Sequence, residues 1–407
     1  MKTTGIIAEY NPFHNGHKYH LEKAREITGC DYLIVIMSGD YTQRGTPAIY
    51  SKYIRAKSAL LSGADLVLEM PVFGSIASAP DFARCGVNSL AETGVCDYLF
   101  FGSESGDLET LRQQADMFEK ESEEMSDKIR SGLKNGLTWP QARAQAYTDA
   151  LAEHENVSVS SLPNDILGVE YIRALNCIDS SMVPVTLKRN DPGYHSSEKS
   201  GTFASATAAR KAILEHDLDF VYEVLPKEFF ECLSDEPCPP VTFNDFHLLL
   251  NERILNASAE HLSSVSGMPN DLARKLYKNK LNFSSPESLV AARKDRNYTY
   301  TRVNRCLLNL ILDIKNEHTE QFKAFHSVPW LRILGFRKEA GPLLSALKKQ
   351  SSAPIITKMA NAESILSLES YELFKKQVRS AELYRMVSQY KSGQTLRNEY
   401  TRSVIIL

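Results

Sequence analysis

The sequence predicts an α/β fold in which a doubly wound parallel sheet is followed by a mostly helical C-terminal domain. Short apolar segments alternate with amphipathic segments over the first hundred residues, as in parallel sheets with crossover helices. Beyond residue 240 the apolar positions recur mainly at helical spacing. Because 407 residues exceed what one ordinary core holds, we expect at least two domains.

The strands of the first part are predicted from short apolar segments that end at polar or glycine residues. They cover residues 4–8, 32–37, 66–69, 98–101 and 183–187. Helical periodicity between and after them predicts helices at 18–28, 52–62, 81–93, 164–176 and 206–216. Ligands of such sheets bind at the carboxyl ends of the strands, where we expect the functional site.

The domain organisation follows from shifts in composition along the chain. A polar, helix-forming stretch at about 105–155 predicts a helical insertion, and the proline-rich residues 237–240 predict a linker. We therefore expect a first domain at 1–238 and a mostly helical second domain at 239–407. Helices are predicted there at 245–257, 272–281 and 302–314, with a strand-like end at 403–407.

Charge is distributed unevenly between the two parts. The whole chain carries −3, but residues 1–240 carry −13 and residues 241–407 carry +10. A basic half favours a polyanionic partner such as RNA, although a solvated Lys/Arg surface without a ligand is the alternative. Seven scattered cysteines without a Cys-x-x-Cys pair predict reduced thiols, and no apolar stretch has the length of a membrane span. Met1 and Lys2 lead into a strand, so we expect a cytoplasmic protein with no membrane contact and no structural metal.

The segment Tyr10-Asn-Pro-Phe-His-Asn-Gly-His17 connects the first strand to the first helix. A helix N-terminus offers free N–H groups and partial positive charge, and Gly16 allows close approach of a phosphate. His14 and His17 can donate hydrogen bonds to an α-phosphate as pyrophosphate leaves. Strand, His-x-Gly-His and helix in this order are typical of nucleotidyltransferases. The alternatives are two surface histidines at a turn, or a metal site with His20, which lacks an acidic or Cys partner at ligand spacing.

Four further segments place polar residues at predicted element ends. Ser205 can cap the helix that contains Thr207, in a segment similar to the Ile-Ser-Ser-Thr-x-Ile-Arg motif of His-x-Gly-His nucleotidyltransferases, although Ala replaces its second Ser and its Ile. Arg189 follows the fifth strand, and Asn164 begins a helix. The loop after the second strand is predicted to contact substrate through Asp40, Gln43 and Arg44.

These segments together closely resemble the tRNA(Met) cytidine acetate ligase family, a member of the His-x-Gly-His nucleotidyltransferase superfamily with a Rossmann-like fold. The resemblance is carried by Glu9 to His17, Gln43-Arg-Gly-Thr-Pro-Ala48, Ala64 to Pro71, Phe101-Gly-Ser-Glu104, Pro163 to Gly168 and Lys188-Arg189. It continues in Tyr298-Thr-Tyr-Thr-Arg302, Leu334-Gly-Phe336 and Pro354-Ile-Ile-Thr-Lys358, and so covers nearly the whole chain.

The resemblance implies an enzyme that adenylates acetate with ATP and transfers the acetyl group to N4 of the wobble cytidine, position 34, of elongator tRNA(Met). It implies catalytic roles for His14 and His17 and an ATP supplied with Mg²⁺. The predicted ATP-binding residues are Ile7, Ala8, Glu9, Tyr10, Asn11, Pro12, Phe13, His14, Asn15, Gly16, His17, Lys18, Tyr19, His20, Gly102, Asn164, Arg189, Ser205 and Thr207.

The basic second half would bind the tRNA backbone. Cations interleaved with Tyr298 and Tyr300 predict phosphate and stacking contacts, and they are Lys294, Arg296, Arg302 and Arg305. Two other functions stay open from the residues alone. A small-molecule adenylyltransferase of the same superfamily would not need the basic half, and a non-catalytic nucleotide-dependent RNA-binding protein would not need both histidines.

Overall fold

A mixed sheet lies at the centre of the computed structural model. The structure describes residues 1–119, 123–134, 142, 145–146, 162–178, 180–189, 204–236, 238–293 and 298–407. The first five strands are β1 (Thr3–Ala8), β2 (Tyr32–Ser38), β3 (Leu66–Met70), β4 (Tyr98–Ser103) and β5 (Val183–Lys188). They are parallel and lie in the order β5-β4-β1-β2-β3, which confirms the predicted parallel sheet.

The helices of the first part lie between these strands and after β5. They are α1 (Asn15–Thr28), α2 (Lys52–Leu61), α3 (Val72–Ser75), α4 (Ala79–Ala91), α5 (Leu108–Glu119), α6 (Glu123–Lys134), α7 (Pro163–Cys177), α8 (Ala206–Leu214), α9 (Leu218–Val224) and α10 (Lys227–Asp235). Helices α5 and α6 belong to the predicted insertion, and most of its residues after 134 lie outside the described ranges.

The C-terminal region is helical, as predicted. Its helices are α11 (His247–Asn256), α12 (Ala259–Ser264), α13 (Asn270–Lys278), α14 (Pro286–Arg293), α15 (Tyr300–Leu312), α16 (Asn316–Ala324), α17 (Gly341–Gln350), α18 (Ala362–Ile365) and α19 (Leu368–Ser392). Within the described ranges, no helix combines the length and the apolar character needed to cross a membrane.

The C-terminal region also contributes strands to the sheet, which the sequence analysis did not predict except for the strand-like end of the chain. Strand β6 (Leu331–Phe336) pairs antiparallel with β3, so that Arg332 lies opposite Glu69. The short strands β7 (Ile355–Ile356) and β8 (Ile405–Ile406) pair parallel with β6. The predicted boundary at 238/239 therefore separates two stretches of chain that share one sheet.

The core lies on both faces of the sheet because successive side chains of a strand point to opposite sides. Leu33 and Val35 of β2 pack with residues of α1, α2 and α8 to α10. Ile34 and Ile36 of the same strand pack with residues of α4, α7 and the C-terminal helices. Helices therefore cover both faces, which is the doubly wound arrangement that the alternating pattern predicts.

A buried ion cluster connects the sheet to the end of the chain. It consists of Asp40, Lys52, Glu69, Arg332 and Glu399. The Nζ atom of Lys52 lies 3.0 Å from Glu69 Oε1, 3.1 Å from Glu399 Oε2 and 3.4 Å from Asp40 Oδ2. Arg332 pairs with both glutamates. The Lys52 side chain has no exposed surface, so each charge in the cluster depends on its partners for compensation.

Candidate active site

A cavity of about 310 Å³ opens beside the carboxyl ends of β1, β4 and β5. Most residues of the predicted ATP site line it: Ile7, Ala8, Glu9, Tyr10, Asn11, His14, Gly16, His17, Tyr19, His20, Gly102, Asn164, Arg189, Ser205 and Thr207. Gln43 and Arg44 of the predicted substrate loop line it as well. The structure thus brings together residues that are up to two hundred positions apart in the chain.

The tautomers of the two motif histidines follow from their hydrogen bonds at the start of α1. The Gly16 N–H donates to His14 Nδ1 across 3.1 Å, and the His14 N–H donates to His17 Nδ1 across 3.2 Å. An imidazole that accepts at Nδ1 carries its proton on Nε2 when it is neutral. Both rings can therefore act as donors through Nε2–H, which is the atom a phosphate oxygen requires.

Packing fixes the orientation of both rings. The ring centroids of His14 and His17 lie 3.7 Å apart in a stacked arrangement. The Tyr10 and His17 rings meet edge-on, with their centroids 4.8 Å apart. A Cβ atom at Gly16 would lie 2.9 Å from His14 Cε1, closer than such atoms normally approach. Glycine at this position therefore allows the His14 ring to lie against the first turn of α1.

Both histidines are neutral at physiological pH. Burial, together with the charges of Arg189 and Arg210, lowers the pKa of His14 to about 3. Burial and the neighbouring His14, Arg189 and His20 hold the pKa of His17 well below its usual range. Neutral donors of fixed direction can stabilise charge that develops on a phosphate without themselves requiring a counter-ion.

Asn164 and Arg189 form the opposite wall beside Gly102. Arg189 Nη1 donates to Asn164 Oδ1 across 3.4 Å, and Asn164 Nδ2 donates to Glu104 Oε1 across 2.8 Å. Glu104 also accepts from the N–H groups of Asn164 and Asp165, at the start of α7. Glu104 therefore fixes Asn164 at the cavity, a supporting role that the sequence analysis did not assign to it.

The start of α8 provides a second helix N-terminus at the cavity. Ser205 Oγ accepts from the Ala208 N–H across 3.1 Å and so caps the helix, as the sequence predicts. Arg210 donates to Thr207 Oγ1 across 3.2 Å and to the Asn11 carbonyl across 2.6 Å. Arg210 was not predicted as a site residue, although it occupies the Arg position of the motif around Ser205.

The loop after β2 reaches the cavity, where hydrogen bonds to Glu9 and from α15 hold it in place. The Gln43 N–H donates to Glu9 Oε1 across 2.7 Å, and Arg305 Nη1 donates to the Gln43 carbonyl across 3.3 Å. Gly45 has φ +75°, and a Cβ atom there would overlap the main chain of Arg305. The loop thus packs directly on α15 of the C-terminal region.

Several predicted site residues lie outside the cavity lining: Pro12, Phe13, Asn15, Lys18 and Asp40. Asp40 is buried in the ion cluster, where its Oδ1 atom accepts from the Lys52 N–H across 2.8 Å. Lys18 pairs with Glu228 at 2.7 Å. The structure therefore places Asp40 behind the loop rather than at the cavity, because its carboxylate compensates a buried lysine.

The predicted tRNA-binding residues divide into three groups. Lys294 and Arg296 lie outside the described residues. Arg302 is exposed and lies over the ring of Tyr298, 5.2 Å from its centroid. Arg305 is partly buried against the Gln43 loop, and burial lowers its pKa.

The lining residues missed by the sequence analysis are mostly apolar or come from distant elements. They are Ile6, Thr46, Phe82, Phe101, Leu167, Tyr171, Leu187, Lys188, Ala206 and Arg210. Apolar residues on strands and helices carry no local signal that separates a cavity wall from the core. Among the described residues, no group of three or more His, Cys, Asp or Glu is arranged to hold a metal ion.

Comparisons with known proteins agree with this geometry. Residues 1–399 match the family described as HIGH Nucleotidyl Transferase. The tRNA(Met) cytidine acetate ligase of Acetivibrio thermocellus is 34% identical over 415 residues, with full coverage of both chains. The ligase of the same name from Caldanaerobacter subterraneus is 35% identical over 410 residues, again with full coverage.

Solved structures show the same likeness. The chain is similar to apo TmcAL of Thermotoga maritima, with a TM-score of 0.92 and 30% identity over the whole of both chains. A form of that protein bound with alpha-thio ATP gives a TM-score of 0.90 with the same identity and coverage. The chain therefore belongs to the tRNA(Met) cytidine acetate ligase family, within the HIGH nucleotidyl transferases.

Proposed function

We propose that this protein is an ATP-dependent ligase that converts acetate to acetyl-AMP and transfers the acetyl group to N4 of the wobble cytidine, position 34, of elongator tRNA(Met). The observation that carries the proposal is the pair of neutral, stacked histidines at the start of α1, whose Nε2–H groups are available at the cavity. The full-length relatives named for this reaction support the choice of substrate.

In the first step an acetate oxygen attacks the α-phosphorus of ATP. A bond forms between that oxygen and phosphorus, the bond to the bridging oxygen breaks, and pyrophosphate leaves with its electron pair. Negative charge grows on the α-phosphate and on the leaving group, where His14 and His17 donate hydrogen bonds. Arg189 and Arg210 supply positive charge at the same cavity.

In the second step the N4 amine of cytidine attacks the acetyl carbon of acetyl-AMP. A carbon–nitrogen bond forms, AMP leaves, and the amine loses one proton. A base in an anticodon loop can leave its stack at lower cost than a paired base, and so can enter a cavity of this size. The basic C-terminal region provides the field that would attract the tRNA backbone.

We also propose that Mg²⁺ enters with ATP, bound to the phosphate oxygens. The lining cations Lys188, Arg189, Arg210 and Arg44 are spread around the cavity, whereas Mg²⁺ is commonly held by substrate phosphates and few protein ligands. We place the reaction in the cytoplasm, where free thiols such as those of the seven cysteines persist.

The direct test incubates the protein with Mg-ATP, labelled acetate and total tRNA, followed by nuclease digestion. The expected result is label in N4-acetylcytidine and acetate-dependent ATP–pyrophosphate exchange. Exchange with another acid or nucleotide and no labelled tRNA would favour a small-molecule adenylyltransferase. Tight binding of tRNA and ATP without any exchange would instead favour a non-catalytic RNA-binding protein.

A further inference from the structure

We propose that Glu9 is the general base that accepts the proton from cytidine N4 during acetyl transfer. This proposal rests on the proposed function and names a catalytic residue for its second step. A general base is useful there because the N4 lone pair is delocalised into the ring, so the amine is a weak nucleophile until its proton begins to leave.

The cavity lining contains few groups that could accept a proton. Glu9 is the one acidic side chain among the described residues that line it. It stands at the carboxyl end of β1, directly before the motif that contains His14 and His17. A carboxylate within a site for ATP and acetate disfavours the binding of both anions, so its presence at this position calls for a chemical role.

The histidines near Glu9 are poor proton acceptors. The Nδ1 atoms of His14 and His17 already accept main-chain N–H groups, which leaves their lone pairs occupied. His20 lies against Phe100, and burial together with Arg189 lowers its pKa to about 3. An imidazole with so low a pKa binds a proton weakly at neutral pH.

The position of the Glu9 carboxylate in the cavity also supports this role. One oxygen of Glu9 accepts the Gln43 N–H across 2.7 Å, which orients the carboxylate and leaves its second oxygen outside that bond. The loop that contains Gln43 packs on Arg305 of the C-terminal region, whereas the histidines belong to the helix that would hold the α-phosphate. Glu9 therefore contacts the loop that the C-terminal region supports, and it directly precedes the segment that contains the histidines.

The Glu9 carboxylate is also more basic than an ordinary glutamate. Burial raises the pKa of Glu9, while the Gln43 N–H and the charges of Arg44 and Arg210 oppose that rise. Loss of hydration disfavours the charged form of a carboxylate, so Glu9 is a stronger base than an exposed glutamate.

The N4 nitrogen forms a bond to the acetyl carbon, the bond from that carbon to the AMP oxygen breaks, and AMP leaves as an anion. The N4 proton moves to a carboxylate oxygen of Glu9, and solvent later removes it. No oxidant, reductant or further reactant takes part.

The decisive variant is Glu9→Gln, which keeps the size of the side chain and an oxygen that can accept the Gln43 N–H. Because Glu9 also lines the ATP cavity, acetate-dependent ATP–pyrophosphate exchange is the internal reference, and we expect exchange to lose much less activity than transfer does. Transfer from synthetic acetyl-AMP to tRNA should fall by about 10²- to 10⁴-fold, the usual contribution of general base catalysis. The matched control, Glu339→Gln, changes an exposed carboxylate far along the chain and should leave both activities unchanged.

The pH profile provides a second readout. Transfer by the unmodified enzyme should rise with pH through one ionisation, and Glu9→Gln should lack that limb. Equal loss of exchange and transfer in the variant, or an unchanged transfer rate, would overturn the proposal. A flat wild-type profile would overturn it even if the variant did not fold. Failure of the unmodified enzyme to use acetate or acetyl-AMP would instead reject the proposed function itself.

Discussion

Arg305 donates a hydrogen bond from Nη1 to the main-chain carbonyl of Gln43 across 3.3 Å. The two residues are 262 positions apart, yet this contact lets a helix of the C-terminal region hold the loop that lines the cavity. Gly45 packs on the same arginine's main chain. The C-terminal region is therefore part of the support of the cavity.

The two arginines of α15 should consequently behave differently. Arg302→Ala is expected to leave acetate-dependent exchange unchanged and to weaken tRNA binding, because Arg302 is exposed and lies over Tyr298, which does not line the cavity. If Arg302 meets one phosphate, the slope of log affinity against log salt should flatten by about 0.7 to 0.9. Arg305→Ala should reduce exchange as well, since the Gln43 loop loses its support.

Binding at several salt concentrations and exchange, measured on both variants, separate these effects. An unchanged salt slope for Arg302→Ala would place the phosphate contacts elsewhere. Normal exchange in Arg305→Ala would show that the loop keeps its position without this hydrogen bond.

Replacement of either motif histidine should impair activation. His14→Ala or His17→Ala is expected to slow ATP–pyrophosphate exchange by about 10²-fold or more, the scale for loss of one donor to a developing anion. His247→Ala, an exposed histidine of α11, is the matched control and should exchange at the normal rate. Exchange that survives substitution of both His14 and His17 would contradict their assigned role.

The stability of the protein should fall on acidification because His20, which is partly buried, resists protonation in the folded state. Burial and Arg189 lower the pKa of His20 to about 3, whereas an unfolded histidine titrates near 6.5. The unfolded chain therefore takes up the proton first, and the stabilisation present above pH 6.5 is lost as the pH falls toward 3.

His20→Phe should remove this share of the pH dependence. Between pH 7 and 5 its free energy of unfolding should drop by about 1–2 kcal/mol less than that of the wild type, from urea titrations without ATP. His247→Ala should keep the wild-type dependence. Parallel pH curves for His20→Phe and the wild type would mean that folding leaves the pKa of His20 unchanged.

The buried ion cluster predicts a large loss of stability from a single substitution. Lys52→Met leaves the carboxylates of Asp40, Glu69 and Glu399 short of a partner inside the protein, which should cost about 3–5 kcal/mol. Lys57→Met on the same helix is the control, since Lys57 pairs with the exposed Asp235 and should cost at most about 1 kcal/mol. Urea unfolding of both variants gives the comparison, and equal costs would contradict this account.

Exchange should depend on added Mg²⁺ because the proposed metal arrives with the nucleotide. Excess chelator is expected to abolish acetate-dependent exchange, and restored Mg²⁺ should recover it fully. Full activity in excess chelator would show that the cations of the cavity suffice for the phosphates.

The sequence predicted the parallel sheet and much of the cavity because their signals are local. The strand before Tyr10, the glycine between two histidines and the Ser205 cap each depend on a few neighbouring residues. Asp40 was predicted at the site because it lies in the same loop as Gln43 after the second strand. Its burial depends on Lys52 and Glu399, and no local pattern reports a partner so far away.

Strand β6 was likewise not predicted, because its pairing depends on residues far away in the chain. Residues 331–336 are apolar enough for a strand, but no strand was predicted there because the surrounding stretch has mainly helical spacing. The pairing of Arg332 opposite Glu69 creates both the sheet order and the ion cluster, and it is decided by contacts that form only after folding.

The position of β6 has a practical consequence for attempts to divide the chain. A fragment that stops near residue 238 would leave one side of β3 without a hydrogen-bonding neighbour, along residues that are buried in the whole protein. An apolar strand edge of this kind readily pairs with another molecule and promotes aggregation. The proposed activation of acetate and the proposed recognition of RNA are therefore better separated by point substitutions than by truncation.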